Sequence, residues 1–484
     1  MPIRIHAVAY VLGQFLLMMS VTMILPLSFA VFGQSDDPRP TLAGLAVTLA
    51  FGVTLTRSFR KPETDLTIRE ALFTVTTVWA SVAFFGSLPF YFSPHFQSFT
   101  DAFFESTSGF TTTGATILGD VEVLPRSLQF WRHLSHWLGG MGIVMLGIAI
   151  LPLIGAGGKT LYNAQFAVSP SENLKPRVLE TAHALWRIYL LITAAEFIAL
   201  RLAGMDSFDA ICHTFSTLGT GGFSTRTASI AYYDSVAIEL VIILFMVISS
   251  LNFATQYRMW AEYRPWAMWK DSEARFHICV LAGATLGVAV TLIYHSAYAA
   301  GTAIRQAAFQ VTSIGTTTGF ATANYEIWHP FAQLTLLVLM YFGGNTGSTA
   351  GGLKSFRIVL LIRLIGRTMT RIIEPRRVLL VRVGDSVIPD SSILSLLNLV
   401  VVALLFNFAA SLALAATGLD LLSSFSAVPA CMFSVGPALG SLGPAENYGH
   451  LPIAAKWILS ITMLVGRVEF STALVLLTRW FWRT

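Results

Sequence analysis

The strongest constraint on this chain is a succession of apolar stretches, each about as long as the hydrocarbon core of a bilayer is thick. A helix needs about 20 mostly apolar residues to cross that core. Ten stretches qualify, near 7–33, 40–56, 70–93, 129–154, 184–204, 235–256, 276–299, 331–356, 392–416 and 454–481. Only 12% of the 484 residues are Asp, Glu, Lys or Arg, against about 25% in a soluble domain. The mean hydropathy is +0.66. The first stretch outruns the ~7–15 apolar residues of a secretory leader and is read as a retained helix. The expected fold class is an all-α integral membrane protein with ten transmembrane helices.

Charge placement orients those helices. With ten alternating crossings, and with Arg132, Arg187, Lys354, Lys456 and Arg479 near span ends assigned to the nearer side, the side holding both termini carries 23 Lys and Arg and the other side 6, while Arg201 and Arg467 are left within spans. The positive-inside rule makes the richer side cytoplasmic. Eight of the 23 lie between Lys354 and Arg382. Basic residues are too sparse for a nucleic-acid partner. Cys212, Cys279 and Cys431 lack metal-ligand spacing and are read as packing residues.

The last eight stretches form four pairs, and the outer connection of each pair holds a short apolar segment and then a Gly/Thr-rich tract. The tracts are DAFFESTSGFTTTGAT (101–116), DAICHTFSTLGTGGFS (209–224), QAAFQVTSIGTTTGFA (306–321) and the more divergent SSFSAVPACMFSVGPA (423–438). They align without a gap on Gly114, Gly222, Gly319 and Gly436, and spacing selects Gly436 over Gly440. Internal repetition at near-fixed spacing implies one structural unit used four times. The expected divisions are a two-helix segment over 1–62 and pore repeats over 63–160, 161–270, 271–380 (with an intramembrane loop) and 381–484.

Within a membrane, irregular backbone survives only where protein buries it or water reaches it. Glycine allows successive carbonyls to face one side, and a ring of carbonyls replaces the hydration shell of an alkali cation. Each short segment before a tract suits a half-crossing helix, with Asp101 marking the start of the first and a partial negative charge at each C-terminus. Four such ends on one axis favour a cation, since an anion path would need rings of Lys or Arg. Two other classes stay open: a secondary transporter with broken helices and a non-conducting sensor or scaffold. With neither a nucleophile–base pair nor a metal-ligand set in view, an enzyme is not expected.

These tracts, together with GGNTGSTAGGLKSFR (343–357), GRVEF (466–470) and WLGGMGI (137–143), resemble the TrkH/TrkG/KtrB superfamily of potassium uptake subunits, most closely its TrkH branch. The resemblance covers the whole chain. It implies a homodimeric, pseudo-fourfold subunit of a bacterial cytoplasmic membrane that takes up K⁺, with both termini inside. Its cytoplasmic face would dock a TrkA-type nucleotide-binding regulator, so that ATP or NAD belongs to that partner and no organic cofactor to this chain. The implied filter comprises Thr112, Thr113, Gly114, Thr220, Gly221, Gly222, Thr317, Thr318, Gly319, Val435 and Gly436. K⁺ would meet the carbonyls of Thr112, Thr113, Thr220, Gly221, Thr317, Thr318, Ser434 and Val435. The resemblance does not decide between a gated channel and a symporter driven by H⁺ or Na⁺.

The glycine-dense interruption Gly343, Gly344, Asn345, Thr346, Gly347, Ser348, Thr349, Ala350, Gly351 and Gly352 breaks its helix, since a helix loses about 1 kcal/mol per glycine relative to alanine. It reads either as a flexible break that lets helices approach or as a loop beneath the filter, and the resemblance implies the second, a gate. Arg467 joins it as a cation inside an apolar span, where it costs about 2.5–3.5 kcal/mol on insertion scales. A structural pairing with Glu469 is disfavoured, since residues two apart face different sides of a helix. Glu105, His213 and Gln310 share a position nine before their glycines and are read as supports behind the filter. Glu196 and Arg201 read as structural rather than as a proton relay. The segment Arg371 to Asp390 reads as strand, Gly-Asp turn, strand, and its charges, with those of Lys159–Arg177, either set orientation or receive the regulator.

Overall fold

The computed structural model describes residues 3–32, 36–59, 66–154, 178–261, 263, 266–377, 379–383, 386–388, 390–468 and 470–483. Among these the chain is helical apart from one two-residue strand pair, Arg382–Val383 with Ser386–Val387. That pair falls where strand, turn and strand were expected. Arg371 to Ile373, however, end a long helix, Ser355–Ile373, instead of opening a strand. The segment Lys159–Arg177 lies outside the described residues, as does Glu469.

A helix stands at each of the ten predicted places. Five are long and apolar enough by themselves to cross a membrane: Ile5–Phe32, Arg39–Ser58, Arg69–Tyr91, Ser272–His295 and Ile393–Ala415. A sixth counts if the bent pair Val236–Ser250 and Phe253–Trp260, which turns by 104°, is one span. The expected stretch 331–356 is two helices, Pro330–Phe342 and Ser355–Ile373, because Gly343, Gly347, Gly352 and Lys354 take positive φ between or beside them. The last stretch is divided into Ile453–Val468, Phe470–Val475 and Arg479–Trp482.

Side-chain placement inverts that of a soluble protein. Large apolar residues such as Ile198, Leu244, Leu286, Leu405 and Phe408 stand exposed, while Glu105, Arg132, His136, His213 and Arg467 are buried. Apolar surface on this scale suits contact with lipid. Cys212 and Cys431 are buried packing residues as expected, whereas Cys279 is exposed.

Four short helices lie inside this shell: Phe99–Phe110, Ser207–Leu218, Ala300–Gly315 and Leu421–Met432. Side chains of Ser98, Asp206 and Asp420 cap three of them by accepting backbone N–H groups. Asp101 therefore sits in the first turn of its helix and does not begin it. The longer helices press onto the other ends through glycine. A Cβ on Gly139 would come within 2.1 Å of the Phe110 carbonyl, and one on Gly466 within 1.9 Å of the Met432 carbonyl. The WLGGMGI and GRVEF motifs thus serve close approach of backbones.

Polar contacts join the four parts of the chain that carry these short helices, each called a quarter below. Arg226 reaches Glu122 at 3.3 Å, and Arg305 reaches Glu239 at 2.8 Å and Asp234 at 3.0 Å. The Tyr325 hydroxyl donates to the Ala438 carbonyl at 3.0 Å. Lys456 meets Asp101 at 2.6 Å in a buried pair. Removing one partner of a buried ion pair leaves an uncompensated charge, at a cost of about 3–5 kcal/mol. Lys456→Met is therefore expected to lower the detergent melting temperature of the purified protein sharply. Adding Asp101→Asn should restore much of the loss, as measured by intrinsic fluorescence.

Candidate functional site

Each short helix is followed by the same backbone turn. Thr112, Thr220, Thr317 and Ser434 have φ of 55°, 52°, 58° and 57°, and two residues later Gly114, Gly222, Gly319 and Gly436 have 80°, 76°, 87° and 93°. Between them, the N–H groups of Thr113, Gly221, Thr318 and Val435 donate to Ser108, Ser216, Ser313 and Ala430, every time at 2.8 Å. The left-handed region disfavours residues with a Cβ. Three threonines and a serine held there mark a backbone that its surroundings over-determine.

The four turns meet one another in a closed cycle. A Cβ built on Gly114 would lie 1.9 Å from the carbonyl oxygen of Gly221. One on Gly222 would lie 2.1 Å from that of Thr318, one on Gly319 2.1 Å from that of Val435, and one on Gly436 2.5 Å from that of Thr113. Every tract thus touches the next through the carbonyl just before its glycine, and the fourth returns to the first. Gly440, though also left-handed at φ 72°, faces Ser423 and lies outside this cycle.

Behind the turns, side chains hold the returning strands. The Glu105 carboxylate accepts from the Thr116 hydroxyl at 2.9 Å, the Ile117 N–H at 3.0 Å and Arg132 at 2.8 Å. His213 bonds Ser224 at 2.9 Å through Nε2, and the correctly oriented Gln310 amide oxygen accepts from the Thr322 and Ala323 N–H groups. In the fourth quarter Ser426 takes over, accepting from the Leu439 N–H at 3.0 Å. Sequence reading missed Arg132, Ser426 and Tyr448, whose hydroxyl donates to the Gly436 carbonyl at 2.8 Å. The repeating pattern around Glu105 could have pointed to such supports, but not to the partners they choose. Glu196 is buried on a neighbouring helix, and Arg201 bonds the Met205 carbonyl near that helix's end.

One cavity touches the four glycines and the residues after them, Thr116, Ser224 and Arg226 among its lining. A second touches Ser434, Gly351, Gly466 and Arg467. The interruption at 343–352 fills the space next to this second cavity, and it contacts three quarters directly. The Thr349 hydroxyl donates to the Leu218 carbonyl at 2.8 Å, the Gly351 N–H to the Thr317 hydroxyl at 2.7 Å, and the Gly352 N–H to the Phe433 carbonyl at 3.2 Å. The buried Arg467 guanidinium donates to the Thr349 carbonyl at 3.3 Å and to Gly139 of the first quarter at 2.8 Å. The structure therefore brings together the two features that the sequence set 110 or more residues apart as a gate. Within the loop, both amide atoms of the buried Asn345 hydrogen-bond to no protein group.

Next to Arg226, which lines the first cavity, Asp209 accepts from Tyr233 at 2.7 Å, from Thr225 at 2.8 Å and from Arg226 at 2.9 Å. Burial alone would raise this carboxyl, but those three donors outweigh it and hold Asp209 below the usual carboxylate range. Its helix, at 12 residues, is too short to cross a membrane. A carboxyl with a depressed folded-state pKa stabilises the fold above its unfolded pKa and loses that contribution as pH falls through the folded value. The melting temperature of the wild-type protein should accordingly drop as the pH goes from about 5 to about 3. Asp209→Asn should start lower at neutral pH and show a flatter acid limb.

A helical protein with outward apolar faces and an inner cycle of backbone carbonyls is a membrane protein built to handle a cation. A family model described as "Cation transport protein" matches residues 40–480. The chain is 40% identical over 484 residues to the Trk system potassium uptake protein TrkH of Escherichia coli K12, with 99% of each chain covered. It is 30% identical over 483 residues to TrkG of the same organism, again with 99% of each covered. The crystal structure of the potassium transporter TrkH from Vibrio parahaemolyticus superposes with a TM-score of 0.90 at 38% identity, covering 99% of this chain and 100% of that one. The chain belongs to the TrkH family.

Proposed function

We propose that this protein takes up K⁺ across the bacterial cytoplasmic membrane through a filter of four pore loops. The observation that carries this reading is the closed cycle of glycine-to-carbonyl contacts, which sets the carbonyls of Thr113, Gly221, Thr318 and Val435 around a common centre. With the carbonyls of Thr112, Thr220, Thr317 and Ser434 they would replace the hydration shell of K⁺, which is the cargo and no resident cofactor. The short helices end at this centre, so their C-terminal partial charges favour a cation there. Full-length relatives named as potassium uptake proteins support the choice of K⁺. The pore repeats, ten crossings and cytoplasmic termini belong to the same proposal and rest on the helix order and the charge asymmetry.

In this reading the filter glycines tolerate no side chain. A Cβ at Gly114, Gly222 or Gly319 meets backbone oxygen that no rotamer change can move, and the positive φ adds strain. Serine at any of the three should weaken the preference for K⁺ over Na⁺ while the protein still inserts. Isotope uptake into proteoliposomes under imposed K⁺, Na⁺ and pH gradients measures this, and reports whether uptake is coupled to either gradient. Unchanged relative uptake in all three variants would refute the filter.

The loop 343–352 and Arg467 form the gate. A buried guanidinium beside the ion path raises the barrier for another cation. A homodimer and a cytoplasmic TrkA-type regulator that binds ATP or NAD complete the proposal, with the exposed basic residues at Arg371–Arg382 offered to that partner. Arg467→Ala and deletion of Asn345–Ala350 should each raise flux and reduce its dependence on the regulator, as read by K⁺ efflux from vesicles with and without it. If both variants conduct at the unaltered, regulator-dependent rate, the gate lies elsewhere.

A further inference from the structure

The loop is held by an element that neither the filter nor Arg467 accounts for. The helix Ser272–His295 begins beside both of the loop's ends. Near its start the buried Glu273 carboxylate accepts the Thr346 N–H at 2.6 Å, the Thr346 hydroxyl at 3.2 Å and the Phe356 N–H at 3.0 Å, all on Oε1. Thr346 lies in the leg of the loop that leaves Pro330–Phe342, and Phe356 in the first turn of the helix that follows the loop. A single carboxylate oxygen therefore fastens both legs. Four residues on, and so on the same helix face, His277 continues the clamp. Its Nε2 lies 3.0 Å from the Ser250 hydroxyl and its Nδ1 3.3 Å from the Ser355 hydroxyl.

Backbone bonds run parallel to these side chains. The Asn345 N–H donates to the Ser250 carbonyl at 2.8 Å, the Ser355 N–H to Gly344 at 3.0 Å and the Phe253 N–H to Gly347 at 3.1 Å. Leg, counter-leg and the 104° break after Ser250 thus meet at one place. Phe356 offers its N–H in the first turn of its helix, where that donor has no partner within the helix and the Glu273 oxygen supplies one.

We propose that Glu273, seconded by His277, is the positioning residue that latches the loop in its closed arrangement by tying Thr346 to Phe356. The inference rests on the gate reading given above and extends it to a residue outside the loop. Release of this latch frees both legs together, whereas loss of Arg467 removes the charge beside the path and a single bond to the loop, at the Thr349 carbonyl. Two residues in different elements therefore control closure by separate means.

The test is K⁺ flux in proteoliposomes of the full-length protein, with and without the regulator, for Glu273→Leu and Glu273→Gln alongside the Asn345–Ala350 deletion. Leu removes both acceptor oxygens, so regulator-independent flux should rise several-fold while the K⁺/Na⁺ ratio and the half-saturating K⁺ concentration stay unchanged. Gln keeps an acceptor oxygen at the same place and should retain much of the closure. In the same vesicles Ser348→Cys reports loop exposure, and its labelling by a membrane-impermeant maleimide from the cytoplasmic side should quicken in the Glu273→Leu background. If the deletion raises flux and Glu273→Leu changes neither flux nor labelling, the latch is refuted and the gate stands. If neither the deletion nor Glu273→Leu raises flux, the gate reading fails with it. Should Glu273→Leu insert poorly, Thr346→Val removes the hydroxyl bond from the other side and is read by the same labelling rate.

Discussion

The fold depends on four glycines, each lying against a carbonyl oxygen of the next quarter where no Cβ fits. Bringing four carbonyl-lined turns this close opposes dipoles of the same sense, so the ring cannot hold itself. It is carried from behind by Glu105, His213, Gln310 and Ser426, which grip the strands leaving the turns. It is carried from below by Gly139 and Gly466, which let long helices press on the ends of short ones. It is clamped between quarters by the pairs of Arg226, Arg305 and Lys456. Burying the charges of Lys456 and Asp101 is expensive unless they are paired, and in this fold that pairing and ring closure happen together.

Fourfold likeness in the turns is accompanied by unlikeness around them. Gly139 and Gly466 hold equivalent places on Phe110 and Met432, so Arg467 stands where the first quarter has Gly140. The smallest residue in one quarter is answered by the largest cation in another. Likewise, among the described residues, the third quarter's second helix alone opens into the 343–352 loop, which bonds its own quarter and two neighbours. A symmetric ring suits a spherical ion; an asymmetric floor suits control.

Much of this was legible in the sequence, for a physical reason. The tract glycines answer a local demand, a left-handed backbone angle, that glycine meets and few others do. Apolar runs likewise report directly on lipid contact. Local too was the glycine-rich interruption, which no helix would keep. Pairings between distant residues were hidden. Nothing near Lys456 announces Asp101, and nothing near Glu273 announces Thr346 and Phe356, because a charged side chain states a need without naming who fills it. The Ser98 cap was misread as Asp101 for a related reason: both residues suit a helix start, and only the backbone path decides between them. Arg371 to Ile373 were read as strand because β-branched residues favour that state, yet the helix behind them had register enough to continue.

The salt bridge of Lys456 with Asp101 joins residues 355 positions apart. It seals the seam between the first quarter and the last, so the ring is incomplete until almost the whole polypeptide has been made. Contacts of such long sequence separation form late in folding. During synthesis the earlier quarters therefore wait in the bilayer as an open arc, with Asp101 lacking its lysine. Ribosomes that stop before the final helix would release a chain with an orphaned acidic group in lipid. The lysine that neutralises it arrives only with Ile453–Val468, so that helix marks the point in synthesis at which the arc can close.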